Sequence, residues 1–189
     1  KSKIEERGKD MNLFLKRLGG FYKYRFLMQQ LVTKDIKLKY RRSFLGYLWS
    51  ILNPLMVMVI MVIVFSNMFR SDIVNFPVYL IIGQTLYNFM SESTTQAIFS
   101  IIGNASLLKK TYVPKYVFTV SKITSSFVNM VFALGALVIV FVVCRVVPNV
   151  FYLFIPVILL QEYLFCLGLG MLLAQGCVFF RDIQHIYNA

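Results

Sequence analysis

The sequence predicts an all-α integral membrane protein with four transmembrane helices, and three observations carry that prediction. Hydrophobic residues make up 58% of the 189 positions and charged residues 15%, against roughly 45–50% and about 25% in soluble domains. The apolar residues gather into runs of about 20 or more, the length a helix needs to cross a bilayer. The basic residues gather as well. Thirteen of the 20 Lys and Arg lie in the first 50 positions beside four acids, so this arm carries +9 of the net +12. Next to several apolar runs, such an arm obeys the tendency of Lys and Arg to stay with the cytoplasmic leaflet; it does not mark nucleic-acid binding.

Residues 1–20 read as a cytoplasmic arm. Through Tyr47 there is no compact apolar stretch followed by small residues, so no cleavable signal peptide is predicted. Residues 21–48 read as an amphipathic helix and a following loop. Lys23, Gln30, Lys34, Lys37 and Arg41 share one helical stripe, with Phe21, Tyr24, Met28, Leu31, Val32 and Ile36 broadly opposite. That division suits a helix lying at the membrane interface. Arg25, Asp35 and Lys39 interrupt the apolar arc, which leaves open a solvated helix packed on a partner.

The transmembrane domain spans 49–180, with crossings at about 49–69, 76–102, 117–143 and 150–180. Pro54 sits in the first turns of the first crossing, where a missing amide costs least. The second crossing turns polar over residues 88–96, with Asn88, Ser91, Glu92, Ser93, Thr94, Thr95 and Gln96, and is expected to face protein or a polar path. Lys122 in the third is expected to snorkel to the headgroups. The fourth exceeds one bilayer thickness and is expected to tilt, break or project. Gly168, Gly170 and Gly176 suggest close helix contact there, although the strict small-xxx-small spacing is absent. Residues 181–189 read as a further cytoplasmic segment.

The loops orient this topology. The inner segments are 1–48, 103–116 and 181–189, and 103–116 holds Lys109, Lys110 and Lys115; the outer segments 70–75 and 144–149 hold one basic residue each, Arg70 and Arg145. A cytoplasmic N-terminus follows. Cys144, Cys166 and Cys177 lack paired spacing and read as structural thiols. No phosphate-cradling Gly-Lys loop, paired metal-binding acids or nucleophile with a base partner is visible, so the chain does not read as an enzyme and carries no cofactor or metal. Glu92 and Glu162, the acids at membrane depth, are expected to pair at helix interfaces.

Four blocks then fix a resemblance: KDIKLKYRRSFLGYLWSILNPL, FPVYLIIGQTLYNFMSES, GNASLLKKTYVPKYVF and GCVFFRDIQHI. In this order they resemble type-2 ATP-binding-cassette permeases, in the branch that exports bacterial O-antigen, capsule, wall glycans and, more distantly, teichoic acids. The resemblance covers roughly residues 24–186 and implies six spans in the full permease, so this chain is expected to be a piece lacking the last two. It also implies a homodimer in the bacterial inner membrane, bound to two copies of a separate ATPase subunit that holds ATP and magnesium. The cargo implied is a polyprenyl-pyrophosphate-linked polysaccharide.

Each block also has a physical reading. The loop 103–116 is short and basic, with Asn104 or Ser106 placed to cap a small helix and Pro114 to end it. The resemblance makes it the coupling helix that contacts the ATPase, through Ser106, Leu107, Leu108, Lys109, Lys110, Tyr112 and Pro114. Arg41 and Arg42 suit a pyrophosphate headgroup or ordinary anionic lipid, because guanidinium groups bind phosphate oxygens in pairs. Gly46 permits close approach beside them, and the resemblance makes this turn the substrate entrance. Tyr47, Trp49 and Glu92 are candidates for a sugar path, against the simpler reading of the aromatics as an interfacial belt. Two rivals stay in view: a type-2 permease for a lipid, drug or small hydrophobic molecule, and a membrane enzyme or scaffold acting on polyprenyl-linked sugars, for which only Glu92, Glu162 and Asp182 are candidate groups.

Overall fold

A computed structural model of the chain describes residues 22–41, 46–69, 75–110, 112–145 and 150–188, and these are almost wholly helical. The first helix, α1, covers residues 22–40. A 3-10 turn, Gly46–Leu48, leads into α2, Trp49–Phe69; then come α3, Phe76–Ile102, the short α4, Ala105–Lys110, and α5, Tyr116–Val143. A second 3-10 turn, Val150–Phe154, precedes α6, Ile155–Phe179, and α7, Ile183–Asn188, closes the described chain. Among the described residues, three segments are long and apolar enough to cross a membrane: Gly46–Phe65, Tyr116–Val143 and Tyr152–Phe179. The expected fourth, α3, has the length but not the composition, because its second half is polar.

The long helix α3 is central, packing against α5, α6 and α2. Two apolar clusters hold it. In one, Met58 of α2 meets Val78 and Ile81 of α3 and Ala136, Leu137 and Val140 of α5. In the other, Phe89 and Ala97 of α3 meet Ile123 and Met130 of α5 and Cys166 of α6, and α2 contributes nothing. The reason is an axial offset. Tyr47 stacks 5.6 Å from Phe132, and a Cβ at Gly135 would touch Ile51 at 3.4 Å, so α2 begins beside the middle of α5. The first half of α5 thus has no α2 beside it, over roughly 20 Å at 1.5 Å per residue.

The fully buried residues of α6 are Cys166, Gly170, Ala174 and Cys177, a single stripe of small side chains. A Cβ at Gly170 would lie 2.7 Å from Ile123 Cδ1 and 3.0 Å from Ala97 Cβ, so three helices converge on that glycine. The small-xxx-small spacing is therefore present once cysteine and alanine are counted with glycine. All three cysteines are free thiols, with Cys166 and Cys177 buried and Cys144 half-buried. The long fourth apolar run breaks as its excess length predicted: residues 150–154 form the 3-10 turn, and Pro156 opens the α-helix, where its missing N–H is harmless.

Candidate functional site

Where α2 is absent, α1 takes its place beside α3 and α5. Its half-buried positions are Tyr24, Leu27, Met28, Leu31, Val32, Asp35, Ile36 and Tyr40, a 3–4 residue repeat, and the stripe of Lys23, Gln30, Lys34, Lys37 and Arg41 is exposed. The apolar arc read from the sequence is half-buried from Tyr24 to Ile36, with Phe21 outside the described residues, and Asp35 and the more exposed Lys39 are the docking points of the helix. Asp35 Oδ1 accepts from Lys122 Nζ of α5 at 3.0 Å, so Lys122 has an ion-pair partner within the protein. Lys39 Nζ donates to Glu92 Oε1 of α3 at 2.7 Å. The two pairs have opposite polarity, so a one-turn slip of α1 sets like charges against each other. Because Asp35 meets Lys122 and, further along, Tyr40 meets Asn129, α1 and α5 run side by side in the same direction.

The second pair belongs to a network. The Asn129 side-chain amide donates to the same Glu92 oxygen at 2.9 Å, and the Tyr40 hydroxyl donates to Asn129 Oδ1 at 3.1 Å while also meeting the Ser50 hydroxyl. Four helices are thereby tied through one carboxylate. Around it opens a cavity of about 600 Å³, walled by Lys39 and Tyr40 of α1, residues 49–54 of α2, the polar face of α3 and residues 126–133 of α5. A second cavity of about 460 Å³ continues toward Asp35 and Lys122, and the two share Lys39, Glu92, Gln96, Ser126 and Asn129. Pro54 adds to the polarity, since it has no N–H to give the Ser50 carbonyl on the same wall. It stands sixth in α2, past the turn where that loss is free.

The sequence-predicted site residues divide. Glu92 and Trp49 line this cleft, and Tyr47 stacks 4.6 Å from Tyr40 at its edge. Arg41 ends α1 on its exposed side, while Arg42, like Arg70, lies outside the described residues. Gly46 has φ +47°, and no atom lies within 4 Å of where its Cβ would sit. Within the chain, glycine is required there by the left-handed backbone and not by a close approach. Glu162 is half-buried with no hydrogen-bond partner among the described residues, unlike the pairing expected of it.

The loop 103–116 corrects two capping assignments. The Asn104 side chain donates back to the Ser100 carbonyl at 2.8 Å and so finishes α3. Its backbone carbonyl receives Leu107 N and Leu108 N and starts α4, leaving Ser106 inside that helix. The short helix ends at Lys110, well before Pro114, whose carbonyl accepts from Val117 N and heads α5. Proline stands where a helix start tolerates it. Leu107 is exposed to solvent by two-fifths of its surface, Lys109 lies on the same short helix, and Tyr112 beyond it is fully exposed.

Sequence reasoning missed Asn129, Ser126 and Asn53. The signal was there: Ser121, Lys122, Thr124, Ser125, Ser126 and Asn129 form a polar stretch in the third apolar run, nearly as dense as the one noted in the second.

Apolar helices around a polar cleft are the parts of a membrane transporter's body. The chain belongs to the ABC-2 type transporter family, which it matches over residues 27–189. It is similar to the O-antigen export system permease protein RfbA of Myxococcus xanthus, with 33% identity over 167 residues, 88% of this chain and 64% of that one. RfbA of Klebsiella pneumoniae is 31% identical over 163 residues, 86% of this chain and 63% of the relative. The capsule polysaccharide export inner-membrane protein CtrC of Neisseria meningitidis is 24% identical over 164 residues, 84% and 61% of the two chains. The chain thus spans less than two thirds of the length of these relatives.

Proposed function

We propose that this chain forms the membrane part of an ATP-driven exporter of a lipid-linked polysaccharide in a bacterial inner membrane, with its N-terminus cytoplasmic. The observation that carries the reading is the cleft: an amide- and hydroxyl-lined cavity beside Trp49 and Tyr47, in a family whose similar members are named for O-antigen and capsule export. Such a lining offers hydrogen bonds to sugar hydroxyls and rings to sugar faces. Arg41 and Arg42 take the pyrophosphate at the entrance, where paired N–H donors suit phosphate oxygens. ATP hydrolysis comes from a separate subunit, two copies of which grip α4 and Tyr112 of two copies of this chain.

Coupling is the part most directly tested. Leu107 and Leu108 lie on the short helix α4, with Leu107 exposed. Leu107→Asp or Leu108→Asp is expected to abolish surface polysaccharide while the protein still inserts and its ATPase subunit still hydrolyses ATP in isolation. Unchanged surface polysaccharide in both variants, with the ATPase bound, overturns the assignment.

A further inference from the structure

The charges of the cleft cancel in place. Among the described residues, four charged side chains line its two cavities: Asp35, Lys39, Glu92 and Lys122. They form two ion pairs, at 2.7 and 3.0 Å, so each described cation of the lining already has a carboxylate partner. What stays open is neutral. Asn53, Asn88 and Gln96 face the cavity with no hydrogen-bond partner among the described residues, and each amide offers both donors and an acceptor. Glu92 takes both its bonds on Oε1, which leaves Oε2 free to accept from a hydroxyl or N–H donor.

We propose that this cleft is a subsite for an uncharged, hydroxyl-rich stretch of ligand, a neutral sugar segment, and that it discriminates against sugars carrying carboxylate or phosphate groups. The inference rests on the glycan-export reading and narrows it. A neutral sugar exchanges water for amide and carboxylate partners. An anionic sugar enters without a counter-ion, against the free oxygen of Glu92, or must take Lys39 from its pair and leave Glu92 with only the neutral Asn129 amide; either course leaves a carboxylate or phosphate without a cation partner. The pairs are therefore neutral walls that hold α1 in place, not ligand-binding charges.

Trp49, the only tryptophan in the sequence, lines the same cavity and reports on its occupancy. The chain in lipid nanodiscs is titrated with a linear neutral hexasaccharide and with a hexauronate of equal length, following Trp49 emission. The neutral sugar is expected to shift the emission saturably, and the uronate to need at least ten times the concentration. Asn53→Lys adds a cation from α2, where no acid stands three or four residues away, and is expected to bring the two sugars to within about threefold. Glu92→Gln, which frees Lys39, is expected to move the ratio the same way. Equal response of the parent chain to both sugars, tighter binding of the uronate, no response to either, or an unchanged ratio in Asn53→Lys overturns the proposal. Failure of the export reading shows separately, as surface polysaccharide that persists in cells lacking this chain.

Discussion

The two faces of the polar half of α3 look alike in the sequence and do opposite things in the structure. One face carries Ser93, Thr94 and Ser100, which are completely buried. Each hydroxyl is spent inside the protein. Ser93 and Thr94 donate to the Met90 carbonyl at 3.0 and 2.7 Å, Ser100 donates to the Ala97 carbonyl at 2.6 Å, and Ser100 and Thr119 meet at 2.9 Å. The other face carries Asn88, Ser91, Glu92, Thr95 and Gln96, which line the cleft. A short hydroxyl can bend back to a carbonyl of its own helix, so it is tolerated in a dry interface. A carboxamide has two donors and an acceptor that its own helix cannot all satisfy, so it needs a polar space or a partner. The carboxamides and the carboxylate therefore mark the cleft face, whereas hydroxyls occur on both faces, Ser91 and Thr95 lining the cleft and Ser93, Thr94 and Ser100 lying in the contact.

The sharpest break of this contrast is steric. The buried face closes on Gly170, where a Cβ already lies 2.7 Å from Ile123 Cδ1, whereas a Cβ at Gly168 meets nothing within 4 Å. Gly170→Leu is expected to destabilise the bundle by about 3 kcal/mol and to lower the denaturation midpoint in detergent sharply. Gly168→Leu is expected to leave the midpoint unchanged. Equal effects at the two glycines mean that α6 does not pack on α3 through this stripe.

A smaller effect tests the hydroxyls. Ser100→Ala leaves the buried Thr119 hydroxyl without its partner, at a cost of about 0.6–1 kcal/mol. Ser100→Ala/Thr119→Val removes both polar groups and is expected to be more stable than the sum of the single changes. A double-mutant cycle in detergent checks this, and a coupling of zero removes the Ser100–Thr119 bond from the account.

Much of this fold was legible because it rests on run length and charge asymmetry. The boundaries of α2 and α3 fall where the apolar runs and their flanking turns put them. The docking of α1 was half legible. Its apolar arc is periodic, but Asp35 and Lys39 read as flaws until their partners 87 and 53 residues away are in view. The partner of Lys122 was hidden for the same reason, because Asp35 lies 87 residues away in the chain. The offset of α2 along α5, which creates the cleft, has no local signature. It arises from how the Tyr40–Tyr47–Phe132 stack seats the turn before α2, and a stack of three rings from three elements is invisible to periodicity.

The smallest effect on stability is the most informative about function. Gln96 lies on the cleft face between the two cavities and has no hydrogen-bond partner among the described residues. Removing its carboxamide deletes no internal bond, so Gln96→Ala is expected to change stability by less than about 0.5 kcal/mol. Its neighbour across the helix, Ala97, is fully buried, and a polar residue there has no partner to meet. Export should respond in the reverse order of what stability suggests. With Gln96→Ala, surface polysaccharide is expected to fall severalfold at normal protein level, because the cleft loses donors and an acceptor that only a ligand or water uses. If Gln96→Ala lowers the denaturation midpoint as much as Ser100→Ala does, the cleft face is another packing surface, and the distinction between the two faces of α3 collapses.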